Sequence, residues 1–291
     1  MRCDAHVHVV ASIDEHPQIP GRTFIARPAL LADLMANGRP FGIDHFVITQ
    51  PSFYGTDNAV LLGALDQLQG KGRGVAVVAH DTPVMTLDAY KKRGVVALRV
   101  NLYSPAAQNV GGGSDDFSIV SDLAAQSGLH VEVIAPLQGL LKNAAVIRQA
   151  PVRTVIDHYG LYGAFRPASV EGQALLALLR HEHVWIKLSS PYRLEHAPFN
   201  VSPDREWLDA LLSVAADRCI WGSDWPHPPE HRAHQGPDVE IPYREISYAA
   251  LVERFVEAIP DPFLLDALMW ENSARLYGFE NQRDRGLGFA R

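Results

Sequence analysis

The stretch CDAHVHVV, residues 3–10, sets two imidazoles into an apolar run that reads as a core strand of a barrel. Residues two apart in a strand share a face, so Asp4, His6 and His8 are expected to point the same way, into the barrel. A lone interior histidine is more often a satisfied core group than a catalyst, because both ring nitrogens must find partners. Two on one face, with His8 near the C-terminal mouth, weaken that bland reading.

Outward from this strand the same unit recurs. Short β-rich runs follow at DHFVITQ, GVAVVAH, VVALRVN, HVEVIAP, RTVIDHY, VWIKLSS and CIWGSD. Between them lie segments of helical spacing, among them PALLADLMANG, TDNAVLLGALDQLQG, DFSIVSDLAAQSG and DREWLDALLSVAADR, several opened by Asp, Thr or Ser and closed by Gly. Strands alternating with helices predict an α/β chain folded as a (β/α)8 TIM barrel, with one domain over residues 1–291. A Pro/His-rich stretch, PHPPEHRAHQGPDVEIPYRE, follows the last strand and precedes two terminal helices. Long βα loops in this fold usually cover an active site.

Composition narrows the partners. At 291 residues the 47% hydrophobic content is ample for a continuous core. No stretch reaches the roughly 18 uninterrupted apolar residues of a membrane helix, so no membrane partner is expected. Lys and Arg number 26 against 33 Asp and Glu, a net charge of −7 that argues against nucleic-acid or anionic-membrane surfaces. MRCDAHVHVV lacks the apolar run of a secretory signal, and Cys3 and Cys219 make no disulfide framework, so a reducing cytoplasm is expected. A homo-oligomer is compatible with all of this.

Chemistry gathers at the predicted strand ends. Strand six ends in IDHYG and strand eight in WGSDWPHP, so His158 and Asp224 join His6 and His8 on the face where barrel enzymes keep their chemistry. Three imidazoles around one carboxylate suit two mechanisms. They can ligate Zn²⁺ and sharpen a bound water. Without a metal, imidazole N–H groups can polarise a carbonyl while Asp224 takes a proton from water.

DAHVHV, IDHYG, WGSDWPHP and the terminal ENSARLYGF together resemble the amidohydrolase superfamily, in the branch of the 2-pyrone-4,6-dicarboxylate lactonases. GTDNAVLLGALDQLQGKGRGVAVV, LRVN and IKLSSPYRL are similar to that branch as well. The resemblance implies a barrel hydrolase that opens a lactone of a carboxylated aromatic-degradation intermediate. Asp224 would be the base, with His6, His8 and His158 around the substrate carbonyl. It implies no cofactor, since lactonases of this branch work without a metal. The alternative is a Zn- or Mn-dependent hydrolase or decarboxylase with metal on His6, His8, His158 and Asp224. Strand seven offers Lys187 and Ser189 where metal-dependent relatives have a histidine, and Glu132 is the one acidic residue left to complete a metal site. An interior ion pair with Arg99 is the preferred reading of Glu132.

A small anionic substrate needs cations with carboxylate geometry. Arg99 and Arg193 match arginines of the lactonase pattern. Pro105 and Leu161 stand where that pattern has two more. The dicarboxylate is therefore a poor expected substrate unless Arg22, Arg27 or Arg166 fills the gap, and a muconolactone or sulfomuconolactone fits better. Gln50, Ser52 and Tyr54, after strand two, are candidate substrate-binding residues, or else part of a loop in which Thr56 or Asp57 caps the next helix. His227 is expected to line the site. His231 and His234 read as solvated loop, and residues 110–116 as a lid or turn. A third reading is a non-catalytic small-molecule-binding barrel.

Overall fold

The computed structural model describes residues 1–104, 116–194, 201–230 and 236–279. Eight strands lie in one parallel sheet in chain order: β1 Arg2–Val7, β2 Ile43–Thr49, β3 Gly72–Ala76, β4 Val95–Asn101, β5 His130–Ile134, β6 Thr154–Ile156, β7 Val184–Ser189 and β8 Cys219–Gly222. Backbone bonds past the end of β8 close the ring, Asp224 N–H to His6 O and His8 N–H to Trp225 O, both 2.8 Å. Helices pack outside, and the expected (β/α)8 barrel is the fold.

Every predicted strand is present. Ser169 and Asp204 cap their helices through side-chain acceptors, as the sequence suggests. PLQGLLKNAAVIRQA, residues 136–150, has the spacing of one helix but forms two, Leu137–Lys142 and Ala144–Gln149, parted at Asn143, whose side chain donates to Gly139 O at 2.9 Å. A short parallel ribbon, Ile25–Ala26 with Glu240–Ile241, joins the loop after β1 to the loop after β8; sequence reasoning did not foresee it.

The barrel interior is layered. Cys3, Ala5, Val47, Val75, Ala97, Val155, Trp185 and Ile220 fill the lower part, plugged by Trp270, Tyr277 and Phe279 of the C-terminal helical segment. Burying this apolar layer stabilises the closed sheet and fills the bottom, which leaves the strand C-termini as the open end. Cys3 and Cys219 are buried free thiols. Among the described residues, no helix is long and apolar enough to cross a membrane.

One expectation about β1 fails. Asp4 pairs with Phe46 and Val7 with Ile48, so three steps of β1 run against two of β2. This bulge inserts one residue and switches the side-chain parity. Cys3 and Ala5 line the lower interior, Val7 turns to the outer core, and His6 and His8 face the mouth. Asp4 does not share their face. Its carboxylate accepts the Ser223 N–H at 2.8 Å, the His6 N–H at 3.3 Å and the Tyr248 O–H at 3.0 Å, stitching β1 to β8 and to the helix Tyr248–Ala258.

Burial raises Asp4 to about 6, the three donors offsetting part of the desolvation. Between about pH 4 and pH 6 the folded chain holds a proton that the unfolded chain has released. The group's destabilising effect is therefore full above pH 6 and relieved as pH falls through that window, a difference on the order of 3 kcal/mol. Asn at this site keeps the acceptor and can donate to the Tyr248 oxygen. Thermal melts should show Asp4→Asn gaining on the parent at pH 7 and the gap closing toward pH 4. Parallel curves would refute the assignment.

Candidate active site at the strand C-termini

The bulge in β1 and the absence of a side chain at Gly222 place His6. A Cβ on Gly222 would stand 2.8 Å from both Cβ and N of His6, so only glycine lets β8 approach this closely. Beyond β6, β7 and β8 the chain turns through left-handed backbone at His158 (φ 52°), Ser190 (φ 56°) and Asp224 (φ 60°). Such positions are costly for residues with a side chain and cluster where function requires them. Here they turn His158 and Asp224 back over the mouth.

The result is a compact buried constellation. The His6 ring centroid lies 5.1 Å from that of His8 and 4.6 Å from that of His158. Asp224 Oδ1 is 3.2 Å from His8 Nε2 and 3.6 Å from His6 Nε2. Its Oδ2 accepts from Arg193 Nε and from the Tyr192 hydroxyl, each at 2.7 Å. His8 Nδ1 donates to Thr49 O at 2.7 Å, and His158 Nδ1 is held by the Ser189 and Ser190 hydroxyls at 2.8 and 2.9 Å. Below them Asp157 Oδ1 lies 3.4 Å from His6 Nδ1, with both its oxygens lacking a hydrogen-bond partner.

Electrostatics follow from the burial. Desolvation pushes Asp224 up, but the Arg193 guanidinium bonded to it outweighs the burial and holds the acid well below its ordinary value, so it is ionised. Burial lowers His6 well below the ordinary histidine value, lowers His158 to about 3 and lowers His227 to about 4, so these three rings are neutral near pH 7. Burial drives the Tyr192 hydroxyl up, so it stays a donor.

A cavity opens over this floor. Its polar wall holds His8, Arg99, Asn101, His158, Arg193 and Asp224, and Phe24, Phe53 and Tyr243 line an apolar side. That mix of polar and apolar walls suits a small ring carrying a few polar groups. Beyond Arg99 a second, smaller chamber shares Ser52, Arg99 and Asn101 with the first.

The predicted residues sort unevenly. His8, His158, Asp224, Arg99, Arg193 and Ser52 line the main cavity, and His6 lies beneath it. Gln50 lines only the second chamber, its amide donating to Gly55 O and Asp57 O. Tyr54 is buried outside both cavities, its oxygen accepting the Ala11 N–H at 3.1 Å, while Asp57 accepts the Ala59 N–H that opens the next helix. His227 packs edge-on to Tyr192 rather than on the cavity wall.

Glu132 does not pair with Arg99. Although the two are register neighbours on β5 and β4, Arg99 donates to Gln50 O at 2.8 Å and approaches Asp157 at 3.6 Å. Lys187 reaches across from β7 to Glu132 instead. Arg22, Arg27 and Arg166 pair with Asp238, Glu240 and Glu206, and none lines the cavity. Pro105, His231, His234 and residues 110–115 lie outside the described residues. Sequence reasoning gave no role to Tyr192, Asp157 or Asn101; each neighbours or nearly neighbours a residue it did choose, in SPYRL, IDHYG and LRVN.

Among the described residues, two groups could bring ligand atoms within 4.8 Å of one another around a metal ion: His6, His8 and Asp224, or His6, Asp157 and His158.

The family model described as amidohydrolase matches residues 3–279. The chain is 27% identical to a 2-pyrone-4,6-dicarboxylate hydrolase of Comamonas testosteroni and 28% identical to a 4-sulfomuconolactone hydrolase of Rhizobium radiobacter. Each match covers 94% of this chain and 89% of the relative. Among solved structures it is similar to a candidate 2-pyrone-4,6-dicarboxylic acid hydrolase from Pseudomonas putida, at 29% identity and TM-score 0.80, over 96% of this chain and 98% of that one.

Proposed function

The chain belongs to the amidohydrolase family, and from that premise we propose that it is a lactone hydrolase that works without a bound metal. The observation that carries this reading is Asp224: an ionised carboxylate on a cavity floor, ringed by three imidazoles, with two arginines on the wall above.

Water held against Asp224 gives that carboxylate a proton as its oxygen attacks the lactone carbonyl. Negative charge gathers on the carbonyl oxygen, where His6 and His158 supply N–H donors. Collapse breaks the ring C–O bond, and the departing oxygen takes the proton back from Asp224. The product is an open-chain hydroxy acid that ionises to solvent. Arg99 and Arg193 orient the ring through its acidic substituents. An anion drawing on Arg193 also loosens its hold on Asp224 and restores basicity to that carboxylate.

The donor set does not fit a divalent cation. Asp224 is already taken by the Arg193 guanidinium and the Tyr192 hydroxyl, and His6 faces the Lys187 ammonium. A dication there would sit among fixed positive charges. Only His8, whose Nδ1 donates to a backbone carbonyl, is oriented as a metal-bound histidine usually is.

Two cavity cations, with Leu161 in place of a third, favour a muconolactone or sulfomuconolactone over the more highly charged pyrone dicarboxylate. The test is a ring-opening assay across these three lactones, followed by ultraviolet loss and proton release. One of the muconolactones should be opened with kcat/KM at least about 100-fold above the pyrone, the effect of one missing buried cation. Binding of all three with no ring opening would replace the enzyme by a small-molecule-binding barrel.

A further inference from the structure

The Lys187 ammonium, fully buried on β7, lies 3.1 Å from His6 Nδ1 and 2.5 Å from Glu132 Oε2. The other Glu132 oxygen accepts the Tyr277 O–H at 2.8 Å, so the carboxylate is held from both sides. An ammonium offers only donors, so the imidazole nitrogen facing it must present a lone pair. A neutral imidazole has one N–H, which is thereby assigned to Nε2. Asp157 Oδ1, 3.4 Å from the same Nδ1, makes no hydrogen bond in this geometry. His6 Nε2 is then a buried donor with no hydrogen-bond partner among the described residues, 3.6 Å from Asp224 Oδ1. His8 is wired the other way, its proton on Nδ1 toward Thr49 O.

We propose that Lys187, anchored by Glu132, is a positioning residue that fixes His6 as the Nε2–H tautomer and so turns the first histidine of the His-x-His pair into a hydrogen-bond donor instead of a metal ligand. A metal beside Asp224 needs the Nε2 lone pair, which this tautomer removes, and a metal beside Asp157 needs the Nδ1 lone pair, which the ammonium already takes. The donor's use on a substrate oxyanion rests on the lactone hydrolase reading; the tautomer and the exclusion of metal do not.

Long-range ¹H–¹⁵N NMR of ¹⁵N-histidine-labelled protein, with His6 assigned through His6→Gln, reads the tautomer directly. The expected result is a protonated Nε2 and a bare Nδ1 in the parent. A proton on Nδ1 there overturns the proposal outright, whether or not any variant folds. The paired variant Lys187→Met with Glu132→Gln removes both buried charges together and keeps an acceptor for Tyr277. In it the His6 proton should move onto Nδ1 toward Asp157, and a titration with zinc should give about one ion per chain where the parent binds none. Its kcat should fall by about 100- to 1,000-fold with KM little changed, as when one oxyanion donor is lost. Lys187→Arg, still all donors, should keep the parent tautomer and exclude zinc. Unchanged tautomer and zinc binding in the paired variant would overturn the proposal. Failure of the lactonase reading would show separately, as a parent with the expected tautomer that opens no lactone.

Discussion

An Asp224→Asn variant is expected to bind its lactone and fail to open it. The amide fits the site it inherits: its oxygen can accept from Arg193 and Tyr192, and its NH2 can donate to His8 Nε2, whose proton sits on Nδ1. Fold and cavity are therefore kept, while the group that takes the water proton is gone. Loss of a general base costs about 100- to 10,000-fold, so kcat should fall by about 1,000-fold or more with the substrate Kd within a few-fold of the parent. Stopped-flow binding and single-turnover kinetics separate the two quantities. An active variant would remove Asp224 from the chemistry.

The second large effect is at Arg193. Its Nε holds Asp224 Oδ2 at 2.7 Å in a largely buried pair, and its outer face lines the cavity. Arg193→Ala should lower kcat/KM for an acidic lactone by about 100- to 1,000-fold, since removing one partner of a buried charge pair costs several kcal/mol. It should also destabilise the fold by about 3 kcal/mol or more, because Asp224 is left as a buried charge without its main cation.

The pH dependence carries a sign. Asp224 is held below its unfolded value, so its stabilising contribution is present above the ordinary carboxylate range and lost as pH falls through the folded value. Without Arg193 the folded value rises, and the acid limb of kcat/KM moves to higher pH. Lys at this position restores charge but not the planar fork, and should recover part of the rate. An unmoved acid limb in Arg193→Ala would mean that this pair does not set the Asp224 acidity.

The barrel was legible because eight apolar runs alternate with capped helical segments, and that pattern has few folded solutions. His158 and Asp224 were legible because a strand-end position in such a barrel is already a position at the mouth. Local parity was not legible in β1: one bulged residue carried Asp4 to the outer seam and left His6 and His8 inside, and nothing in CDAHVHVV marks that insertion. Pairing across the interior was not legible either. Arg99 was the reasonable partner for Glu132 as a neighbour in register, yet the long Lys187 side chain spans from β7 to reach it. Tyr192 escaped because a tyrosine beside a chosen arginine looks like loop packing until its hydroxyl is found on the Asp224 carboxylate. Gln50 and Tyr54 satisfy backbone groups of their own loops, which sequence alone cannot tell from facing a cavity.

Whether a metal takes part is decided by ring opening with protein dialysed against a strong chelator, its metal content determined by elemental analysis on the same sample. Sub-stoichiometric metal and a kcat/KM equal to that of the untreated protein are expected, with no gain on adding zinc or manganese. Activity that disappears with the metal and returns with it would instead make His6, His8 and Asp224 metal ligands and take the role of base from Asp224.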